Sequence, residues 1–254
     1  MTMRAEHIAP TGERVPTSPA KAHQAALDVA PAVCFQTGSI REELGLPEKL
    51  GCEIGAPLRH LSTNEAEALG RLVPAILCGE ESAVHVFYQG LRTLPEKARP
   101  EVLRVVTDET DHEIILATLF DQCPEPADLK KLRATSRRFF MSMAARDPAV
   151  HFAHVSALDS GVCILMDELG RGKSALRRNQ DLLKIVNRIK LDEAVHVGVT
   201  RRATRLLGMP RRHYRDKSAE TKESFCTYLG HVSDSLENLA ICPDRLTKRI
   251  LKDL

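Results

Sequence analysis

The chain has no tryptophan, only three tyrosines, no Cys-x-x-Cys pair, no surplus of either charge and no long apolar run, and each absence removes a class of function. Without tryptophan, an aromatic relay for a buried radical would have to be built from Tyr88, Tyr214 and Tyr228, of which Tyr88 alone keeps that role open. Without Cys-x-x-Cys there is no four-cysteine iron site and no zinc knuckle. The seven cysteines, Cys34, Cys52, Cys78, Cys123, Cys163, Cys226 and Cys242, are odd in number and scattered, the pattern of reduced, mostly buried thiols. Basic and acidic side chains number 36 and 34 and are spread evenly, leaving no concentrated footprint for nucleic acid or an anionic membrane. No apolar run approaches the ~20 residues of a membrane span, and the opening MTMRAEHIAPTGERVPTSPA lacks a signal-type apolar segment. A cytoplasmic protein is expected.

What is present is helical periodicity. Residues 1–30 mix Pro, Thr, Ser and charge without period and read as a disordered leader, and 31–61 read as a docked arm. From Ser62 onward apolar residues recur at three and four, which places them on one face of successive helices. The first of these opens at Ser62 with Glu65 completing a capping box, contains Pro74, where a kink is expected, and ends before Leu94-Pro95. The second starts at Pro100 and stops near Phe120. A connecting helix covers roughly 127–146. The third begins at Asp147-Pro148 and weakens at Gly170-Arg171-Gly172, and the fourth runs from about Asp181 to Gly208-Met209-Pro210. Shorter helices near 218–238 and 243–252 complete an all-α domain over 62–254.

Two Glu-x-x-His pairs, Glu109/His112 and Glu193/His196, lie on the second and fourth of these helices. Residues three apart share a helix face about 4.5 Å apart along the axis, so both side chains can reach one metal or adjacent metals. The phase matters more than the motif. Val102, Val105, Val106, Leu116 and Leu119 continue the line of Glu109 and His112, and Leu182, Ile185, Val186 and Ile189 continue that of Glu193 and His196. Ionised groups on a buried stripe need a metal or a counter-ion. A two-metal carboxylate site draws one further acid from each of the other two helices. On the first helix the apolar direction centres on Glu80, with Glu81 a quarter turn away; on the third it lies nearer Asp159 than Asp167 or Glu168. Glu80 and Asp159 are favoured, with Glu81 and Glu168 as the alternatives. His85, His151 and His154 read as surface or supporting groups.

Glu80, Glu109-x-x-His112, an acid on the third helix and Glu193-x-x-His196, spanning about residues 62–207, resemble the ligand pattern of the ferritin-like di-iron carboxylate superfamily. Within it, GEESAVHVFYQGLRTLPEKARPEVL, Glu109-x-x-His112 and KLDEAVH are similar to segments of aldehyde-deformylating oxygenases, and the tail DSLENLAICPDRLTKRIL is faintly similar to theirs. The arylamine N-oxygenases of the superfamily carry a histidine four residues before the last glutamate, where this chain has Ile189. Asp159 stands where most of the superfamily has glutamate, and its shorter side chain implies a longer reach to metal. The resemblance implies a ferritin-like four-helix bundle with one long helical crossover, an N-terminal arm and extra C-terminal helices. It implies two Fe ions, with Mn or mixed Fe/Mn also suiting the ligand set. Glu109 and Glu193 would bridge them, Glu80 and Asp159 would be terminal, and each histidine would bind one.

The activity so implied is that of an O2-dependent di-iron oxidoreductase, a monooxygenase in type. A small organic substrate would lie in a cavity near Ile76, Phe87, Val162 and Ile189, and an external donor would supply electrons. A homodimer is the ordinary oligomeric state. The rival readings are a ferroxidase or peroxide-handling ferritin-like protein and a metal-free helical interaction protein.

Overall fold

Helix-forming residues with an apolar face fill the chain beyond Ser62, and in the computed structural model they form helices with no strand among the described residues, which are 34–46, 55 and 57–252. The leader expected at 1–30 lies outside them, as do residues 31–33, 47–54 and 56 of the arm. The elements are α1 (Gly38–Leu44), α2 (Thr63–Thr93), α3 (Arg99–Phe120), α4 (Leu129–Ser142), α5 (Pro148–Leu169), α6 (Gln180–Leu206), α7 (Arg211–Leu229), α8 (Ser233–Asn238) and α9 (Pro243–Lys252).

The boundaries follow local chemistry. Ser62 Oγ accepts from the Glu65 N–H while Glu65 Oε2 accepts from the Ser62 N–H at 2.8 Å, closing the expected capping box. Asp147 accepts from the Ala149 N–H to open α5, and Asn179 accepts from the amides of Asp181 and Leu182 to open α6. Gly208, at φ +80°, follows the end of α6 in the left-handed region where a side chain would be strained. Pro74 lies inside α2, which is continuous through it. Three boundaries differ from the sequence reading, one being the helix expected near 218–238, which breaks at Gly230–Val232 into α7 and α8. The connecting helix is shorter than 127–146, and α7 begins at Arg211, because Pro210 ends one helix and starts the next, its fixed φ serving directly as N-cap.

α2 and α3 pack as one hairpin across Leu94–Ala98, and α5 and α6 as another. The hairpins face each other, α4 and α8 lie against α2, and α7 lies against α5. α5 is by length and composition apolar enough to cross a membrane, more so than the sequence reading allowed. In this fold 67 % of its apolar stretch is buried among the other helices, the pattern of a core helix.

Two apolar clusters fill the bundle. One joins Leu69–Leu77 of α2 to Ile115–Leu119, Leu165–Leu169 and Leu182–Ile189; the other joins Val84 and Phe87 to Val102–Val106, Phe152, Val155, Val199 and Ala203. On each of the four long helices the candidate ligands fall between the two clusters. A polar layer is thus held between two apolar ones.

Candidate metal centre

All six residues singled out on that layer are buried, from 0 % exposure for His112 and His196 to 6 % for Asp159. One donor atom each from Glu80, Glu109, His112 and Glu193 lies within 4.8 Å of the others, a cluster able to hold a metal ion. His112 Nδ1 is 3.3 Å from Glu80 Oε2 and 3.6 Å from Glu193 Oε1; His196 Nδ1 is 3.0 Å from Glu109 Oε1 and 3.6 Å from Glu193 Oε2. The imidazole rings are 5.9 Å apart between centroids. Asp159, from α5, faces the same space with Oδ2 lacking a hydrogen-bond partner, as do both Glu109 oxygens and His196 Nδ1, whose 3.0 Å approach is poorly directed.

The two acids that competed for these positions are committed elsewhere. Glu81 turns to the arm, where Oε2 accepts the Phe35 N–H at 2.9 Å. Glu168 accepts from Arg245 of α9 at 2.6 Å and from Arg249.

Asp108 and Asp192, the residues just before the two motif glutamates, escaped the sequence reading. His112 Nε2 lies 3.1 Å from Asp192 Oδ2, and His196 Nε2 lies 3.4 Å from Asp108 Oδ2. Each histidine is therefore held from the opposite helix, in a reciprocal pair between α3 and α6. A carboxylate on Nε2 places the proton there and leaves Nδ1 as the free donor toward the cluster, the usual way a protein fixes a metal-binding tautomer. Arg188 reaches across the same seam, 2.7 Å from Asp111 and 3.7 Å from Asp192. The signal was in the sequence as a repeated Asp-Glu-x-x-His, although the cross-helix pairing was not.

Electrostatics explain why the layer is unusual. Burial, reinforced by Glu193, pushes the Glu109 and Asp159 carboxyls well above their ordinary range. Burial also acts on Glu193, but hydrogen bonds from His112 and His196 outweigh it and bring the group down to about 2. Both imidazoles are raised despite burial, by Asp192, Glu193 and Glu80 around His112 and by Glu109, Asp108 and Glu193 around His196. Without metal, burial and crowding of like charges favour retaining protons on the imidazoles and on Glu109 and Asp159.

Glu80, Glu109, Asp159 and Glu193 line a narrow cavity with about 60 Å³ of free space. The rest of its lining is chiefly apolar, including Ile76, Val86, Val162 and Leu165, with Phe140 of α4 and Phe225, Tyr228 and Leu229 of α7. Ile76 and Val162 were expected there. Phe87 and Ile189 are instead packed in the core, Phe87 with its ring 6.2 Å from that of His196. Tyr228 stacks on Phe139 at 4.3 Å, and its hydroxyl sits between Ser136 Oγ and the Ala75 carbonyl. His85, read as a surface group, packs beside Phe35 of the arm; His154 Nδ1 is 2.7 Å from the Met143 carbonyl, so it braces the start of α5.

No family model matches the chain, and no curated protein or solved structure does either.

Proposed function

We propose that the chain is a ferritin-like, non-haem di-iron oxidoreductase that uses O2 on a small apolar substrate. The observation that carries this reading is a buried Glu/His cluster, Glu80, Glu109, His112 and Glu193, whose three acids line a mostly apolar cavity together with Asp159. Residues Glu80, Glu109, Asp159, Glu193, His112 and His196 would hold the two irons, since four carboxylates balance two dications while neutral imidazoles complete the donor set. Bound there, ferrous ions supply the electrons that activate O2.

The side chains define the rest of the chemistry. Asp192 and Asp108 keep the histidine Nδ1 atoms aimed inward. The unpaired Asp159 and Glu109 oxygens are left open toward the cluster, as ligands for the metal would be. The apolar walls exclude water and bind by shape, because the Tyr228 hydroxyl is already occupied. Inserting one atom of O2 into a C–H or N–H bond and releasing the other as water consumes two electrons and two protons, hence the external donor. An ion-storage role makes no use of such a cavity.

The test is anaerobic loading of the chain with Fe(II), metal analysis, and O2 uptake at an electrode. Near two irons per chain and O2 uptake, both lost in His112→Ala/His196→Ala, are expected. A parent chain that retains no iron would overturn the proposal.

A further inference from the structure

A second cluster of metal-type donors lies beside the first, where the arm meets α2. Cys78 and Glu81 are three apart on α2 and share a face, and Cys34 comes to them from the arm. One donor atom from each lies within 4.8 Å of the others, and the residues are 0, 4 and 5 % exposed for Cys78, Glu81 and Cys34. Cys34 Sγ is also 3.8 Å from the Arg133 carbonyl oxygen on α4. In a tetrahedral site with Zn–S of about 2.3 Å and Zn–O of about 2.1 Å, a sulfur and an oxygen ligand stand about 3.6 Å apart and two sulfurs about 3.8 Å. The observed spacing therefore needs at most a contraction of about an ångström.

We propose that Cys34, Cys78 and Glu81 form a second, structural metal site for a soft divalent cation, zinc in class, with the Arg133 carbonyl as fourth donor. Two sulfurs select zinc over the harder cations that suit an all-carboxylate and imidazole set. Binding expels the two thiol protons, and two thiolates with one carboxylate leave a dication at net −1, which the nearby Arg133 guanidinium offsets. The site joins three segments that are remote in sequence: the arm, α2 and α4. Its consequence is mechanical. Among residues 34–46 the arm fully buries only Cys34, Phe35 and Ile40 as apolar groups and adds polar contacts such as Thr37 Oγ1 to Glu113 Oε1 at 2.9 Å, so the metal would fix it over the flank of α2 that carries Glu80.

The site is tested by titrating Co(II) anaerobically into the full-length, reduced, metal-free chain and following the near-ultraviolet thiolate-to-cobalt charge-transfer band. The Glu/His centre has no sulfur and gives no such band, so this result and the iron result stand or fall separately. The band should appear in the parent and in His112→Ala/His196→Ala, be displaced by zinc, vanish in Cys34→Ser, and need roughly tenfold more Co(II) in Glu81→Gln. Cys34→Ser is the informative variant because it alters the arm and leaves the bundle core intact; unchanged helical circular dichroism checks this. No band in a parent with free thiols, a band that survives Cys34→Ser, or a mass two hydrogens low from a Cys34–Cys78 disulfide would each overturn the proposal.

Discussion

Loading the Glu/His centre with two dications should expel about four protons per chain. The number comes from the residues held protonated without metal: His112 and His196, whose carboxylate neighbours outweigh burial, and Glu109 and Asp159, which burial drives upward. Metal ligands must be deprotonated, so binding competes with each of these protons. The overall two-ion constant should therefore rise with pH, at the limit of four protons by about 10⁴-fold per pH unit, or about 5 kcal/mol at about 1.4 kcal/mol per proton and pH unit.

The sign for the metal-free fold is opposite. A group whose pKa is raised on folding contributes stability that is complete below its unfolded value and is lost as pH rises through its folded value. The contribution of these groups to the metal-free fold should therefore fall as pH rises, from about 4 for Glu109 and Asp159 and from about 6.5 for the two imidazoles, while metal binding strengthens. Calorimetric titration with Fe(II) in two buffers of different ionisation enthalpy gives the proton count. Performing it in Cys34→Ser keeps the thiols out of the result. Release of less than one proton per chain, with affinity independent of pH, would refute the charge balance argued here.

Three further outcomes follow from named contacts. Asp192→Asn and Asp108→Asn should each weaken metal binding about 10–100-fold in a competition assay while leaving helical content unchanged, because they free an imidazole without removing a ligand. Gly161→Ala would place a Cβ 2.7 Å from two ring carbons of Phe225, so α7 must move; a loss of about 1–3 kcal/mol, read by urea denaturation, is expected. His151 is depressed to about 4 by burial and then by His154, so it stays neutral in the fold while the unfolded chain takes up a proton below about 6.5. Its own contribution should fall by up to about 3 kcal/mol as pH drops from about 6.5 to about 4, read as the difference between the parent and His151→Gln profiles.

Much of this arrangement was legible because helix phase is a local property. Counting about 100° per residue against the apolar stripe favoured Glu80 over Glu81 and Asp159 over Glu168 but left both alternatives open. The structure turns Glu81 to the arm and Glu168 to Arg245 and Arg249, which are partners no periodicity reveals. What escaped was chiefly contact between segments remote in sequence. Asp108 and Asp192 read as ordinary helix charges until α3 and α6 are set side by side. Pro210 has the same signature whether it only ends α6 or also starts α7. Phe140, Phe225 and Tyr228 could not be assigned to the cavity, since their helices have no ligand to fix their rotation.

Under the function we propose, that last failure bears on specificity. The four ligand helices are constrained by the polar layer, and a change in any of their inward residues near Glu80, Glu109, Asp159 or Glu193 disturbs the metal donors as well as the cavity. α4 and α7 carry no such burden. They contribute Phe140, Phe225, Tyr228 and Leu229 to the cavity wall while lying outside the donor set. Phe139 and Tyr228, stacked with an interplanar angle of 3°, lock the two helices to each other, and the Tyr228 hydroxyl locks both to α2. The cavity can thus change shape by exchange of aromatic residues at one wall without altering the charge or geometry of the donors at the other. An apolar wall of this kind discriminates weakly among substrates of similar bulk, at about 1–3 kcal/mol per methylene group.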